Sequence, residues 1–141
     1  MKRITILLVA AFFIFMWGCE EQEIGYLDVT NAEYIPDSVV FKAVLDPDNR
    51  QDAQKIKFEI PFQSPSMQKV SGSPVVKYQI DRIVCNNGAE DAVSQFSIRG
   101  KGIIELPYNH TVPTGRYVFS IRVSNEGHSH VLDSVLTVIV Q

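Results

Sequence analysis

The feature that most constrains the fold is a two-residue alternation of apolar side chains late in the chain. Its apolar members are Tyr117, Phe119, Ile121 and Val123. They alternate with Arg116, Val118, Ser120 and Arg122. Successive side chains of a β-strand point to opposite faces, so this period places the apolar set on one face. The segment is therefore predicted to be a strand with one buried face.

The rest of the chain after residue 24 also has the pattern of short strands. Clear alternation over 56–62 and weaker alternation elsewhere predict strands at 26–31, 38–45, 56–62, 75–84, 93–99, 102–106 and 131–140. Turn-forming residues separate these segments at 46–49, 71–74, 86–88, 100–102 and 125–127. The apolar run Val135–Val140 is typical of a strand buried on both faces. No segment in this region has a convincing helical period.

These strands predict an all-β fold, a single antiparallel two-sheet sandwich of seven or eight strands. Its predicted core consists of Phe41, Phe58, Ile60, Ile80, Phe96, Tyr117, Phe119 and Ile121. The immunoglobulin signature of two cysteines flanking a tryptophan is absent, because the single tryptophan is Trp17. Lys42, Lys57 and Pro61 are interpreted as residues that protect open sheet edges.

The first residues have the pattern of an export signal. Lys2 and Arg3 precede an apolar run from Ile4 to Trp17, which suits a signal peptide and is short for a membrane span. Gly18 and Cys19 then resemble a bacterial lipobox, which implies cleavage before Cys19 and lipid modification of its thiol. An ordinary secretory signal followed by a chance cysteine is the alternative. The expected organisation is a signal peptide over 1–18, a lipidated tether over 19–24 and one domain over 25–141.

The charged residues indicate where the protein is exported and exclude nucleic acid as a partner. Glu20, Glu21 and Glu23 resemble the acidic export signal of Bacteroidetes-type surface lipoproteins, although a solvated tether would have the same composition. Without Lys2 and Arg3 the chain has 11 basic and 16 acidic side chains, a net charge of −5. Nucleic-acid binding is excluded, because phosphate contacts need clustered lysine and arginine.

The second cysteine, Cys85, has no partner in the chain if Cys19 carries lipid. A free cysteine packs as a small apolar side chain, so Cys85 is interpreted as a buried and inert thiol at a strand end. A catalytic thiol would need a neighbouring base or cation, and the sequence has no recognisable pattern for one.

The order of several segments resembles cadherin-like sandwich modules. The matching phrases are 31–33, 36–40, 43–48, 96–98, 102–104 and 113–117. Together with the leader, the phrases 25–32 and 123–127 resemble small surface lipoproteins that accompany SusC/SusD-type glycan uptake systems. The resemblance implies anchoring to the outer membrane, exposure at the cell surface, and contact with polysaccharide or with a transport complex. Fold similarity alone says little about function.

Two clusters are weak candidates for a metal site. Asp46 and Asp48 lie in one loop, but calcium takes six or more oxygen ligands and Asp-Pro-Asp-Asn is a favourable turn without metal. His128 and His130 would share a strand face, where Glu126 could complete a zinc-type set, but a solvated strand edge has the same pattern. We therefore expect no metal and no cofactor.

One loop is the candidate for ligand contact. Tyr108, Asn109 and His110 lie between Pro107 and Pro113, and an exposed aromatic ring beside polar groups is typical of a glycan site. The alternative is that Tyr108 covers the edge of the core.

Two short patterns resemble Bacteroidetes O-glycosylation sites. They are Asp37-Ser38-Val39 and Asp133-Ser134-Val135, and burial of Ser38 or Ser134 would prevent modification.

Catalytic motifs are absent from the sequence, including a nucleophile elbow, a phosphate-binding loop and a Cys-x-x-Cys pair. The predicted function is a non-catalytic surface lipoprotein that binds polysaccharide or assists its uptake. The alternative is a structural or adhesive module that contacts another protein through a sheet edge.

Overall fold

The computed structural model describes residues 2–6 and 25–141. Residues 2–6 are helical, and strands make up 43% of the described residues, with few helices. The β-rich prediction is therefore confirmed. Within the described residues, no helix is long and apolar enough to cross a membrane. The predicted cleavage site, Cys19 and the three glutamates after it lie outside the described residues.

Nine strands and one α-helix follow residue 25 in the part of the chain described. In order they are β1 (Leu27–Asp28), β2 (Ser38–Phe41), α1 (Arg50–Phe58), β3 (Phe62–Gln63), β4 (Ser71–Gly72), β5 (Lys77–Cys85), a 3₁₀ helix (Glu90–Gln95), β6 (Ser97–Arg99), β7 (Ile103–Leu106), β8 (Gly115–Asn125) and β9 (His128–Val140). They form open sheets with the strand orders β2-β9-β8-β5, β3-β7-β6 and β1-β4.

The hairpin of β8 and β9 is the longest paired element in the described chain. All four apolar members of the alternation in β8 are fully buried, as predicted. Gly127 lies in the connecting turn with a φ of 95°, a conformation that glycine adopts without steric cost. In β9, Leu136, Val138 and Val140 are buried whereas the residues between them are half-buried. The terminal strand is therefore buried completely on one face only.

One strand pair departs from the predicted antiparallel arrangement. β2 runs parallel to β9, with Phe41 opposite Val140. Parallel pairing needs a long connection between the two strands. The long stretch of chain between these two strands supplies it.

The strand predicted over 56–62 is wrong, because most of this segment lies in or directly after α1. Asn49 caps the helix by accepting hydrogen bonds from the backbone N–H groups of Gln51 and Asp52. Glu59 ends it in a left-handed conformation, with its N–H directed to the carbonyls of Ile56 and Lys55. These caps satisfy the backbone groups that a helix leaves unpaired, so they favour a helix despite the alternating pattern.

Consequently, two predicted core residues lie at the surface. Phe58 is 62% exposed and Ile60 is 42% exposed. Lys57 lies on α1 and therefore does not protect a strand edge. Phe62 is the one apolar member of this alternation that is buried, in β3.

The core is formed by residues of the two larger sheets and of the segments beside them. Of the predicted core residues, those buried are Phe41, Phe96, Tyr117, Phe119 and Ile121, and Ile80 is half-buried. Phe41 of β2 stacks on Phe62 of β3 with ring centroids 5.3 Å apart. Phe96, directly before β6, packs edge-on against Phe119 of β8 at 5.1 Å. Aromatic pairs at these separations contribute beyond the area that they bury.

Candidate functional site

The loop predicted to contact a ligand places its three residues in different environments. Tyr108 is half-buried, Asn109 is exposed and His110 is buried. The Nδ1 atom of His110 accepts a hydrogen bond from the N–H of Val112 at 3.1 Å. Its Nε2 lies 2.8 Å from the carbonyl of Lys42 and therefore carries the ring hydrogen. Both ring nitrogens are thus used within the chain, and Tyr108 and Asn109 remain the candidates in this loop for contact with a ligand.

The carboxylates around residue 46 are held by hydrogen bonds within the loop. Asp46 Oδ1 accepts a bond from the N–H of Asp48 at 2.9 Å. The buried Asp52 accepts bonds from Lys42 Nζ at 2.6 Å and from the N–H of Asp46 at 3.1 Å. The hydrogen bond from Lys42, and then that from Asp46, hold the pKa of Asp52 below its usual value. This arrangement closes the loop and joins it to α1.

The two histidines of β9 lie near the hairpin turn. His128 Nε2 is 3.3 Å from the carbonyl oxygen of Gly25, and His130 is exposed opposite Val123. Among the described residues, no group of three or more His, Cys, Asp or Glu side chains could hold a metal ion.

The remaining residues singled out from the sequence are dispersed. Cys85 is a half-buried free thiol at the end of β5, opposite Tyr117. Ser38 in β2 and Ser134 in β9 are both exposed, so burial does not prevent their modification. Ser38 lies opposite Thr137 of β9, whereas Ser134 lies where the pairing of β8 and β9 is interrupted.

A groove that the sequence did not predict lies between β5 and the segment before it. It has a volume of about 460 Å³, within the range of small-molecule sites. The segment between Ser66 and Val76, Tyr78 of β5 and Lys101 line it. We call it the Tyr78 groove.

The walls of the Tyr78 groove are fixed by hydrogen bonds. The N–H of Met67 donates to the carbonyl of Lys101 at 2.8 Å, and Gln68 exchanges two backbone hydrogen bonds with Glu33. Lys69 forms an ion pair with the Glu33 carboxylate. These contacts attach the groove segment to the turn between β6 and β7 and to residue 33.

Gly102 is buried close to Tyr78, one of the residues that line the groove. A Cβ atom there would lie 2.9 Å from the hydroxyl of Tyr34 and 3.3 Å from Tyr78 Cδ1. Gly102 also has a φ of 79°, so a side chain would be strained in any case. Burial raises the pKa of Tyr78, which is half-buried. Tyr78 is therefore neutral at physiological pH and offers an aromatic surface.

Most residues of the Tyr78 groove lie within 66–78, and Lys101 comes from a distant turn that periodicity could not place beside them. Tyr78 shares the alternation of Ile80 in β5, which marks it as an inward-facing strand residue. Gln68 and Lys101 have no such signal.

No family model, curated protein or solved structure matches this chain.

Proposed function

We propose that this chain is a non-catalytic lipoprotein of the outer membrane, exposed at the cell surface, that binds polysaccharide or assists its uptake. The observation that carries the binding role is the Tyr78 groove. It combines an aromatic side chain, an apolar wall and amide and ammonium groups at one open site. Binding sites of this kind are largely apolar with a few polar groups that fix the orientation of the ligand.

The proposed anchor is supported by the sequence before residue 25. A basic start, an apolar run and Gly18-Cys19 precede three glutamates within four residues. Several acyl chains on Cys19 would hold the protein firmly, since each buried methylene contributes about 0.8 kcal/mol.

The proposed architecture is an immunoglobulin-like or cadherin-like sandwich of the two larger sheets. The contacts of Phe41 with Phe62 and of Phe96 with Phe119 support this arrangement, because each joins residues of different sheets or of their flanking segments. Face-to-face packing of two sheets buries the inner side chains of both.

Metabolic labelling with palmitate tests the anchor. We expect the unaltered chain and Cys85→Ser to incorporate label in a bacterial host that processes lipoproteins, and Cys19→Ser to lose it. Cys85→Ser is the matched control, since it removes the other cysteine of the chain. Equal labelling of Cys19→Ser and the unaltered chain would exclude lipidation at residue 19.

Affinity electrophoresis tests the binding role. We expect the full-length protein in detergent to be retarded in native gels that contain a polysaccharide from a panel of neutral and acidic polymers. Migration that no polymer changes would contradict the proposal.

The second candidate function is a structural or adhesive module. It is favoured by the position of β2 and β5 at the two edges of the four-stranded sheet, where no other strand of the described residues pairs with the outer side of either backbone. Val40 of β2 and Val44 are also exposed, at 54% and 81%. A cross-linking and pull-down experiment from outer membranes distinguishes this role, because it predicts a stoichiometric protein partner without retardation by polysaccharide.

A further inference from the structure

We propose that the Tyr78 groove binds a saccharide that carries a carboxylate, such as a uronate unit of an acidic polysaccharide. This inference rests on the proposed function, because it names the class of glycan that the same site takes. The charge of the groove, its apolar wall and its unused polar groups support it independently of one another.

The charge of the groove differs from that of the whole molecule. The chain has a net charge of −3, yet the residues that line the groove include Lys69 and Lys101 and, within the described part of the chain, no aspartate or glutamate. A lysine that is not paired with a carboxylate attracts an anionic group and disfavours a cationic one.

The two lysines are not equivalent. Lys69 is paired with the Glu33 carboxylate, and this contact neutralises most of its charge. Lys101 is exposed and forms no ion pair with any described residue. Its backbone carbonyl is held by the N–H of Met67, so the ammonium group extends from a fixed point. Lys101 is therefore the group assigned to the ligand carboxylate.

The apolar part of the groove suits the face of a sugar ring. One side of the groove is formed by Pro74, Val75 and Val76. Tyr78 lies in β5, the strand that directly follows them in the chain. Val75 is 71% exposed, so its side chain is accessible to a ligand. A sugar ring has C–H groups on one face, and their contact with these side chains would remove apolar surface from water.

Gln68 supplies hydrogen bonding at the rim. Its Nε2 donates to Ser66 at both the hydroxyl and the carbonyl, which fixes the orientation of the amide. Its Oε1 is then directed away from Ser66 and can accept a bond from a sugar hydroxyl. A saccharide that carries a carboxylate and hydroxyls has a partner for each of these two groove residues, the carboxylate for Lys101 and a hydroxyl for Gln68.

The test compares acidic and neutral polymers on the full-length protein. Affinity electrophoresis is run with polygalacturonate, alginate, dextran and mannan at equal mass concentration, and with poly-glutamate as an acidic polymer without sugar. We expect retardation by polygalacturonate or alginate, and at least about tenfold weaker binding for Lys101→Glu, since a hydrogen bond to a charged group contributes this much to affinity. Lys77→Glu is the matched control, because Lys77 is an exposed lysine of β5 outside the groove lining.

Each outcome separates this inference from the proposed function. Equal retardation by neutral and acidic polysaccharides, unchanged in Lys101→Glu, would overturn the acidic ligand and leave polysaccharide binding in place. Retardation by poly-glutamate as strong as by the uronates would overturn the saccharide class. No retardation by any polysaccharide would overturn both. Gln68→Ala gives a second variant at the exposed rim, and we expect it to weaken uronate binding without affecting thermal unfolding.

Discussion

Tyr34 is a buried tyrosine whose hydroxyl donates a 2.6 Å hydrogen bond to the carbonyl of Gly102. We expect Tyr34→Phe to lower the free energy of unfolding by about 1 kcal/mol at pH 7, because the Gly102 carbonyl loses its buried donor. Urea unfolding measures the change. Tyr26→Phe is the control, since the Tyr26 hydroxyl contacts Ser71 at the exposed surface. Equal losses in both variants would contradict a special role for the buried bond.

The raised pKa of Tyr34 also leads us to expect that the folded protein loses stability at high pH. Burial, and then the neighbouring Tyr78, raise the pKa of Tyr34 above the ordinary value of 10.0. The unfolded chain therefore ionises at a lower pH than the folded protein, so this contribution is complete below pH 10 and is lost as the pH rises further. We expect Tyr34→Phe to reduce the fall in stability above pH 10. Urea unfolding over a series of pH values measures this fall in stability for both proteins.

The lowered pKa of Asp52 leads us to expect that the folded protein loses stability at low pH. Its pKa is lowered from 3.8 by the hydrogen bonds from Lys42 and Asp46, so its contribution is complete well above pH 3.8 and is lost as the pH falls through the lower folded-state value. We expect Asp52→Asn to be less stable than the unaltered chain at pH 7 and to lose less further stability on acidification. Asp48→Asn, at an exposed position, is the control for thermal unfolding at pH 7 and pH 3.

At the scale of single elements, the hairpin of β8 and β9 contains an irregularity centred on Ser120. The register shifts between Phe119 and Ile121, and Ser134 has a φ of 52°. The buried Ser120 hydroxyl donates to Asp133 Oδ1 at 2.7 Å and accepts the N–H of Ser134 at 3.1 Å. The side chain therefore replaces the ladder bonds that the bulge interrupts.

We expect Ser120→Ala to cost about 1–3 kcal/mol, because the Ser134 N–H loses its partner in a partly buried place. Chemical unfolding measures the cost. Ser124→Ala on the same strand is the control, since Ser124 is half-buried and lies outside the bulge. A cost for Ser120→Ala no larger than that of Ser124→Ala would contradict the assigned role.

The helix α1 shows where element prediction from period alone fails. The alternation over 56–62 predicts a strand, but Asn49 and Glu59 supply both helix caps. The capping signal was present in the sequence, because asparagine is a favoured N-cap residue. The alternation favours a strand whereas the capping residue favours a helix. Of the alternating apolar residues, only the last, Phe62, lies in a strand.

At the scale of the whole molecule, the packing of the two larger sheets can be tested by substituting Phe62 of β3. It stacks on Phe41 and contacts His110 edge-on at 5.7 Å. We expect Phe62→Ala to cost about 3–5 kcal/mol, because it opens a cavity in the core. Phe58→Ala is the matched control, since Phe58 is exposed, and we expect it to change stability by no more than about 0.5 kcal/mol.

A double-mutant cycle of Phe41→Ala and Phe62→Ala then measures the contact itself. We expect a coupling energy of about 0.5–3 kcal/mol, as for residues that touch. If the losses in the free energy of unfolding for the two single variants add up to that of the double variant, the result would contradict the proposed sandwich, in which this stack joins the two sheets.

The sequence by itself determined the strand-rich character and the buried face of β8, because alternation records which side chains of one strand face the core. It also contained the pattern for the proposed lipid anchor. The tertiary structure decided that His110 uses both ring nitrogens within the chain and that Gln68, Tyr78 and Lys101 line one groove. These residues lie on different segments, so their proximity follows from sheet pairing and loop packing, which no local pattern encodes.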